Sequence, residues 1–528
     1  MAFQLFRPKA LVRLLQTQPH HVGAAVLFAV VSAVFYWPFL SELPTGIHTW
    51  AQSDRLSLAL NYYDFGFDFF TPRTSALVSI GGITGVEFPI QAYLAALGGL
   101  LFGRSSIVTL YRLLDVVTAT VGFYYLFRLV YERTGNFVAG LVPGAFLLAS
   151  PFFAFYAGNF LPDPFSLSLS FIGYYYGLRF FDERRFADLR RALLLLTLAG
   201  LVKTTTALHF GAVAGLVALW AFLEPALLLP RQRWQLLGLI SLGVGAIIGV
   251  LLRNQYLNAT YLSWQFLSAA NPVTSPQMTH EVLQSIRRTL INEYATHTQY
   301  RMLAACGVLF VVFLRANLRR YLPLTLLLLA SLLIAYVFTQ LMGAALGVHD
   351  YYMICAFGPP ALLLLTLGLL NLGRFAGPAR YVTALGFGVL IFFLVANGYK
   401  RLHRRMSDDY LPFSPFYTHF WMRGGAKEMQ QAGVPETATI FVVNERSANI
   451  AQVYFDRRGV TWYPQSLPAV TAEDLLNGMA PDKLEYAVMA PAAYATLAPQ
   501  HAALAAAFET VGQYPAVILR RRDLHRPW

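Results

Sequence analysis

Charged residues are scarce in this sequence. Of its 528 residues, 13% are Asp, Glu, Lys or Arg, whereas 56% are hydrophobic and the mean hydropathy is +0.50. A soluble domain usually carries about 25% charged residues. The apolar residues also form long runs, for example at 324–335 and 361–370, and runs near 20 residues match the thickness of a bilayer core. The composition therefore predicts a polytopic membrane protein.

Cysteine and several catalytic motifs are also lacking. The two cysteines, Cys306 and Cys355, both lie in apolar runs, so a disulfide framework is not expected. Neither a G-x-G-x-x-G pattern nor a P-loop occurs, so nothing indicates a nucleotide. H-E-x-x-H is absent, and His280 and His297 are too far apart for a recognisable metal motif. We predict no cofactor, although the sequence leaves a divalent metal open.

Basic residues are in excess, with a formal net charge of +13. They cluster between the apolar runs, and no aromatic–basic groove motif for nucleic acid accompanies them. The excess is therefore interpreted as a topology signal and as a set of lipid headgroup contacts. The lipid bilayer is a predicted partner, and nucleic acid is not. The first apolar run is not followed by a small-residue cleavage site, which favours a retained helix.

Eleven apolar segments predict spanning helices, and several of them are short for a full span. They are residues 22–40, 111–130, 137–156, 164–181, 192–201, 205–223, 236–252, 302–314, 321–341, 352–370 and 381–396.

Lys and Arg residues decide whether the short apolar segment 88–103 crosses the membrane. If it does not, the N-terminus (Arg7, Lys9, Arg13) and alternate loops carry 15 basic residues in about 57 positions. The opposite side carries 8 in about 139 positions, and basic residues favour the cytoplasm. The segment is therefore predicted to lie at the outer interface, with the N-terminus cytoplasmic and the C-terminus outside. Four basic residues after the last span conflict with this orientation: Lys400, Arg401, Arg404 and Arg405.

Three external features follow from this topology. They are a long first loop at 41–110, a second loop at 253–301 and a C-terminal tail of ordinary soluble composition. The tail alternates short apolar runs with helical stretches, which predicts a small α/β domain. The fold class is thus an all-α transmembrane domain at 1–398 with roughly 11 spans, followed by an α/β domain at 399–528.

The first loop contains a candidate catalytic carboxylate, Asp54. Thr49-x-x-Gln52 fits a capping box, and Leu56 recurs with later apolar residues at helical spacing, so a surface helix is predicted with Asp54 in its first turn. A carboxylate there can act as a base. The alternative is that Asp54 only favours a helix N-terminus.

Other ionisable residues are predicted near the same outer face. Asp163 lies in a short turn before a proline, and Lys203 lies between two short apolar segments, where a cation usually has a partner. His349 and Asp350 end another short loop. The alternatives are a turn aspartate and a helix cap. Together with Asp54 and Glu87, these groups suit a reaction on a phosphate-bearing lipid, because a carboxylate can accept a proton and a cation can stabilise a departing phosphate.

Short motifs follow one another in a recognisable order along the chain. They are Ile47-His48-Thr49-Trp50-Ala51-Gln52-Ser53-Asp54, Asn61-Tyr62-Tyr63, Thr71-Pro72-Arg73, Glu87-Phe88-Pro89, Leu101-Phe102-Gly103 with Arg112, Leu161-Pro162-Asp163-Pro164, Lys203-Thr204, and His349-Asp350-Tyr351-Tyr352 before Pro359-Pro360. The ordered set resembles the GT-C glycosyltransferases, specifically bacterial relatives of protein O-mannosyltransferases and of the lipid A aminoarabinose transferase (glycosyltransferase family 39).

The resemblance implies an enzyme that transfers a hexosyl or pentosyl group, with inversion, from a polyprenyl-phosphate donor to an acceptor hydroxyl. The reaction would take place at the outer face of the bacterial inner membrane. The resemblance also implies roles for eight residues: catalysis for Asp54 and Asp163, donor-phosphate binding for Lys203 and His349, and a sugar or acceptor site for Glu87, Gln52, Asp350 and Tyr351. Arg55 is a further candidate for the donor phosphate, although the family has another residue there.

This sequence departs from the family pattern at two motifs. Asp54-Arg55 stands where many members have Asp-Glu or Asp-Thr, and Glu87-Phe88-Pro89 stands where some have Glu-Lys-Pro. The second change removes one possible phosphate contact, which Arg55 would replace.

Two other classes of function remain open. A lipid or small-solute transporter or flippase usually shows paired repeats with broken helices, and no such symmetry is present here. A scaffold would use the C-terminal domain to bind a partner, but it leaves the outer charged residues unexplained. The sugar, the acceptor (a glycan, a lipid or a protein) and the oligomeric state do not follow from the sequence.

Overall fold

The computed structural model describes residues 18–266, 270–373, 378–407 and 419–525. Arg7, Lys9 and Arg13 of the topology argument lie outside the described residues. The chain divides into two compact units. The helical unit is Met1–Leu40, Arg112–Leu251 and Ser268–Arg405, and the sheet unit is Ser41–Tyr111, Leu252–Leu267 and Met406–Trp528. The predicted boundary between residues 398 and 399 stays a prediction.

Helices precede the first strand of the chain. In order they are α1 Pro19–Tyr36, α2 Thr49–Phe65, α3 Ile90–Phe102, α4 Ile107–Thr134, α5 Phe137–Ala149, α6 Pro151–Tyr156, α7 Pro162–Glu183, α8 Phe186–Val202, α9 Ala207–Leu223, α10 Pro230–Thr260, α11 Pro276–Ser285, α12 Ile291–Tyr294, α13 His297–Val312, α14 Leu314–Arg320, α15 Leu322–Met342, α16 Tyr352–Leu372, α17 Pro378–Met406 and α18 Gly425–Gln431.

Seven of the described helices are long and apolar enough to cross a membrane, which confirms a multi-pass membrane protein. They are Pro19–Phe39, Arg104–Thr134, Thr204–Leu223, Pro230–Thr260, Leu322–Ala345, Tyr352–Leu372 and Tyr381–Met406. The pair α13 and α14, bent by 78°, would add an eighth. The predicted span 137–156 is divided into α5 and α6, because Ser150 is extended before Pro151.

The predicted span 164–181 corresponds to α7, a buried helix that carries several hydroxyls. Ser166 donates a hydrogen bond to the Ala199 carbonyl oxygen of α8 at 2.8 Å, and Ser168 donates to the Pro164 carbonyl at 2.7 Å. Both serines are buried. Because their hydroxyls are satisfied inside the protein, the helix can be central without being uniformly apolar.

Helix α3 covers the short apolar segment whose crossing was uncertain. Its 13 residues span about 20 Å at 1.5 Å per residue, which is less than a bilayer core of about 30 Å. Glu87, just before α3, forms an ion pair with Arg55 of α2, and Arg104, just after α3, forms one with Asp64 of α2 at 2.7 Å. Both ends of α3 are therefore linked to the same helix, α2, which supports the prediction that α3 does not cross.

The C-terminal domain contains a five-stranded mixed sheet, as the predicted α/β class requires. Its elements are β1 Thr439–Val443, α19 Ile450–Tyr454, β2 Arg458–Trp462, α20 Ala472–Met479, β3 Tyr486–Met489, α21 Pro491–Thr496, α22 His501–Ala507, β4 Phe508–Gly512 and β5 Val517–Arg521. The strand order is β2-β1-β3-β5-β4. Strand β1 is parallel to β2 and β3, whereas β5 is antiparallel to β3 and β4. Buried side chains lie on both faces of β1, as in a sheet covered on both sides.

The first loop supplies a short segment that pairs with the open edge of this sheet. The backbone N–H of Leu77 donates to the Gly459 carbonyl oxygen at 2.8 Å, and the N–H of Gly459 donates to the Ser75 carbonyl at 3.1 Å. The bridge between Ala76 and Gly459 is parallel. A Cβ at Gly459 would overlap the Ile440 carbonyl oxygen of β1, so glycine permits the close approach of β2 to β1. The loop thereby covers an edge that would otherwise expose unpaired backbone groups.

Candidate active site

The start of α2 differs from its predicted capping box. The Thr49 hydroxyl donates backwards to the Gly46 carbonyl oxygen at 2.6 Å, not to a helical amide. The Gln52 side-chain amide donates to the Thr45 and Ile47 carbonyl oxygens, each at 2.9 Å. Gln52 is fully buried, so it holds the loop that enters the helix. The capping box is therefore wrong, and the proposed sugar-site role of Gln52 stays a prediction.

Asp54 is the central carboxylate of the sheet unit. It lies in the second turn of α2, because the helix begins at Thr49 and has no acidic residue in its first turn. The predicted first-turn position is wrong, and the helix N-terminus does not account for its charge state. Asn449 of the C-terminal domain donates a hydrogen bond from Nδ2 to Asp54 Oδ1 at 2.8 Å. Burial raises the pKa of Asp54 to about 7, although Asn449 and the charge of Arg55 lower it.

Arg55 and Glu87 form an ion pair beside this carboxylate. Their side chains are 12% and 15% exposed, respectively. The Arg55 guanidinium also lies 4.7 Å from the ring centroid of Phe266, a distance typical of a cation–π contact. Much of the charge of Arg55 is therefore balanced within the protein. A donor phosphate bound by Arg55, as predicted, would therefore share the guanidinium with Glu87.

The helical unit contains a second group of predicted site residues, centred on Lys203. Lys203 follows α8 in an extended conformation, and its Nζ lies 3.4 Å from Asp163 Oδ2. The same Nζ is 5.6 Å and 5.3 Å from the ring centroids of Tyr351 and Tyr352. Asp163 is in the first turn of α7. A buried cation with a carboxylate and two aromatic rings is the partnered arrangement expected at membrane depth.

His349 lies beside the same two tyrosines. Its ring centroid is 5.4 Å from that of Tyr351 and 5.2 Å from that of Tyr352. The Cys355 thiol donates to the backbone carbonyl oxygen of Asp163 at 3.3 Å. The structure thus brings four predicted residues of the helical unit into one cluster: Asp163, Lys203, His349 and Tyr351.

Asp350 is directed into a separate buried network. It accepts a hydrogen bond from the Tyr156 hydroxyl at 2.6 Å and one from Arg405 at 2.7 Å. Arg405 also lies 3.3 Å from Glu293. Asp350 and Arg405 are both about 1% exposed or less. The proposed sugar-site role of Asp350 stays a prediction, and these contacts show a structural role that the sequence did not indicate.

A cavity of about 600 Å³ is lined in part by residues that flank the His349–Tyr352 segment in the sequence. It is lined by Leu346 and Met353 next to that segment, and by Val282, Ile286 and Phe357 among others. Apart from a few hydroxyls and one amide, the lining is apolar. Its size and chemistry suit part of a hydrocarbon chain.

In the described part of the chain, no three His, Cys, Asp or Glu residues are grouped so that they could hold a metal ion.

The contact between Asn449 and Asp54 could not be found by reasoning from the sequence. The two residues are 395 positions apart, and Asn449 belongs to no motif recognised in the sequence. Arg405 was noted only for its effect on topology, although its burial beside two carboxylates makes it a structural residue.

Comparison with known proteins gives one family match and several fold matches. Residues 87–252 match the family described as dolichyl-phosphate-mannose-protein mannosyltransferase. The matched residues are less than half of the chain. ArnT from Cupriavidus metallidurans bound to undecaprenyl phosphate has a TM-score of 0.59 and 15% identity, covering 96% of this chain and 99% of that one. Its apo form has a TM-score of 0.57 and 14% identity, with the same coverage.

A third solved structure extends the likeness beyond ArnT. The apo oligosaccharyltransferase of Archaeoglobus fulgidus has a TM-score of 0.51 and 12% identity, covering 90% of this chain and 70% of that one. No curated protein matches the sequence. At these identities the structural likeness concerns the fold, and it confirms the predicted fold class.

Proposed function

We propose that this multi-pass membrane protein of the GT-C fold is a glycosyltransferase that uses a polyprenyl-phosphate-linked sugar. It transfers the sugar to an acceptor hydroxyl with inversion, and Asp54 is the general base. The observation that carries the proposal is the environment of Asp54, a carboxylate that is oriented by Asn449 and has a pKa of about 7. A general base is most effective when its pKa is near the working pH.

The chemistry is a single displacement at the anomeric carbon. The acceptor oxygen attacks that carbon as its proton passes to Asp54, and the bond from the carbon to the phosphate oxygen breaks. The electron pair leaves with the polyprenyl phosphate. One displacement inverts the configuration. Since the leaving phosphate departs readily once a cation stabilises it, a carboxylate is a sufficient base.

Lys203 and His349 are the proposed contacts of the donor phosphate. Lys203 is a buried ammonium between Asp163 and two tyrosine rings, so its position is defined before any ligand binds. Asp163 orients the ammonium through their ion pair, which is a milder role than proton transfer. The apolar cavity beside Leu346 and Met353 would take part of the prenyl chain. ArnT supports this donor class, since its structure contains undecaprenyl phosphate.

The proposed location is the bacterial inner membrane, with a cytoplasmic N-terminus and an external C-terminal domain. The distribution of basic residues supports this orientation, as do the ion pairs that fasten both ends of α3 to α2. The reaction then takes place at the outer face. Polyprenyl-linked sugars and acceptors of the cell envelope would meet there.

The proposal is tested by incubating the purified protein with undecaprenyl-phosphate-linked sugars and a cell-envelope fraction as acceptor. A transferase releases undecaprenyl phosphate. A transporter or flippase would move the intact donor across a vesicle bilayer without releasing it. Asp54→Asn should lower turnover by about 10²–10⁴, the usual contribution of a positioned base, with donor binding largely kept.

The matched control is Asp68→Asn, the same change at an exposed position of the same loop, which should leave turnover unchanged. If Asp54→Asn retains near-normal turnover while Asp163→Asn abolishes it, the two carboxylates have exchanged roles. If the wild-type protein releases no undecaprenyl phosphate from any such donor, the proposed function is wrong.

A further inference from the structure

The C-terminal domain places one side chain directly on the proposed base. Asn449 is fully buried and immediately precedes α19. Its Nδ2 donates to Asp54 Oδ1 at 2.8 Å, and its Oδ1 accepts a hydrogen bond from the backbone N–H of Ala76 at 2.9 Å. One amide thus joins the C-terminal domain to two parts of the first loop.

These two contacts determine which way the Asn449 amide points. The Ala76 N–H is a donor and therefore requires the carbonyl oxygen of the amide. The NH₂ group must then face Asp54, where the carboxylate accepts it. The hydrogen bond is made to a charged group, and such bonds are roughly twice as strong as neutral ones.

Ala76 is itself held in place by the sheet. Residues 75–77 pair with the edge strand β2 through Gly459. Arg104 adds a second link, because it pairs with Asp64 of α2 and with Asp456 of the C-terminal domain at 2.8 Å. Backbone pairing and an ion-pair bridge therefore fix the position of the amide that donates to Asp54. A lone surface side chain would be flexible by comparison.

We propose that Asn449 is a positioning residue for Asp54, so that the C-terminal domain completes the catalytic site. The inference rests on the proposed function, because it assumes that Asp54 is the base. The Asn449 amide occupies Oδ1 of Asp54. In the part of the chain that the structure describes, no hydrogen bond reaches Oδ2 of Asp54, so this second oxygen accepts the proton of the acceptor hydroxyl. Asn449 keeps both of its own protons throughout.

Asn449 also affects when Asp54 is ionised. A hydrogen bond to a carboxylate favours its charged form, whereas burial disfavours it. Arg55, the neighbouring residue on α2, is the charged group that acts on Asp54 in the described residues, and it also favours ionisation. Loss of the amide donor should therefore leave Asp54 protonated up to a higher pH.

Two substitutions separate positioning from folding. Asn449→Ala removes both hydrogen bonds. Asn449→Asp has nearly the same shape and can still accept from Ala76, but it replaces the donor by a second carboxylate, which should raise the pKa of the pair further. Asn477→Asp is the matched control, since Asn477 is an exposed residue of α20 in the same domain.

The experiment measures turnover against pH for the full-length protein in detergent, with the undecaprenyl-phosphate-linked sugar that the wild type uses. Both Asn449 variants should turn over at least about tenfold more slowly at pH 7, with donor KM changed little, as expected when a charge-assisted hydrogen bond is lost. The acidic limb of the profile should move to higher pH, furthest in Asn449→Asp. Asn477→Asp should match the wild type.

The inference is overturned if the acidic limb stays at the wild-type pH in both folded Asn449 variants, whatever the loss of turnover. A merely structural role would lower turnover without shifting the acidic limb of the pH profile. If Asn449→Ala does not fold, Asn449→Asp decides alone. Failure of the proposed function gives a different pattern. In that case the wild type releases no undecaprenyl phosphate from any donor, or Asp54→Asn is itself as active as the wild type. An active wild type and an inactive Asp54→Asn beside wild-type-like Asn449 variants contradict only the inference.

Discussion

At the scale of single residues, the charge state of Asp54 results from opposing effects. Burial raises its pKa to about 7, against the Asn449 hydrogen bond and the Arg55 charge, which lower it. A first-turn position would favour the ionised form, but Asp54 is one turn too far along α2. Its basicity is therefore a property of its surroundings and not of its place in the helix.

This pKa predicts how activity depends on pH. The base must be ionised, so turnover should rise as the pH increases through about 7 and level off above it. Protonation below that pH removes the acceptor for the hydroxyl proton. The measurement is kcat between pH 5 and 9 at saturating donor. A profile that is already flat from about pH 5.5 would mean that Asp54 keeps an ordinary carboxyl pKa.

Lys203 allows a second prediction at this scale, because its role as a phosphate contact can be separated from its ion pair. Lys203→Ala should weaken donor use by about 1.5–3 kcal/mol, the value of a lost charged hydrogen bond. It also removes the cation 3.4 Å from the buried Asp163, so the protein should melt at a lower temperature.

The double variant Lys203→Ala, Asp163→Asn removes both charges of that pair. It should regain thermal stability relative to Lys203→Ala, since no uncompensated carboxylate stays buried, but it should not regain donor use. Recovery of donor kinetics along with stability would show that Lys203 acts only through the fold.

At the scale of elements, α17 explains part of the conflict in the topology argument. The basic residues at its end conflict with an external C-terminus. Arg405, however, is buried beside Asp350 at 2.7 Å and Glu293 at 3.3 Å. A charge neutralised within the protein is a weaker topology signal than an exposed one, since the rule concerns flanking charges of short loops.

The same network predicts a strong effect of Arg405 on stability. Arg405→Ala removes the cation that two carboxylates share, and breaking a buried pair in this way costs about 3–5 kcal/mol. The neighbouring Arg404 is exposed, so Arg404→Ala is the matched control. Thermal unfolding in detergent should show a clearly lower transition temperature for Arg405→Ala alone. Equal transitions for the two variants would contradict a structural role for the buried network.

At the scale of the whole molecule, the predicted topology can be tested by cysteine labelling in intact cells. Ser105 follows α3 and Asn477 lies in the C-terminal domain, and both are exposed. If α3 does not cross, cysteines at both positions should react with an impermeant thiol reagent. A cysteine at the exposed Ala226, predicted to be cytoplasmic, should react only after permeabilisation. The native Cys306 and Cys355 are buried and provide the background.

Labelling of only one of the two outer positions would contradict the model of the topology.

The sequence alone determined the class of the protein, because apolar runs, loop charges and alternating short strands are local patterns with a direct physical cause. It also indicated Asp54, Asp163 and Lys203, since their motifs are contiguous in the chain. Only the tertiary structure decided what these residues contact. Asn449 reaches Asp54 across 395 positions, and Arg405 compensates Asp350 inside the helical unit. Burial and partners of this kind set the charge of a side chain, and they depend on packing between segments that no local pattern connects.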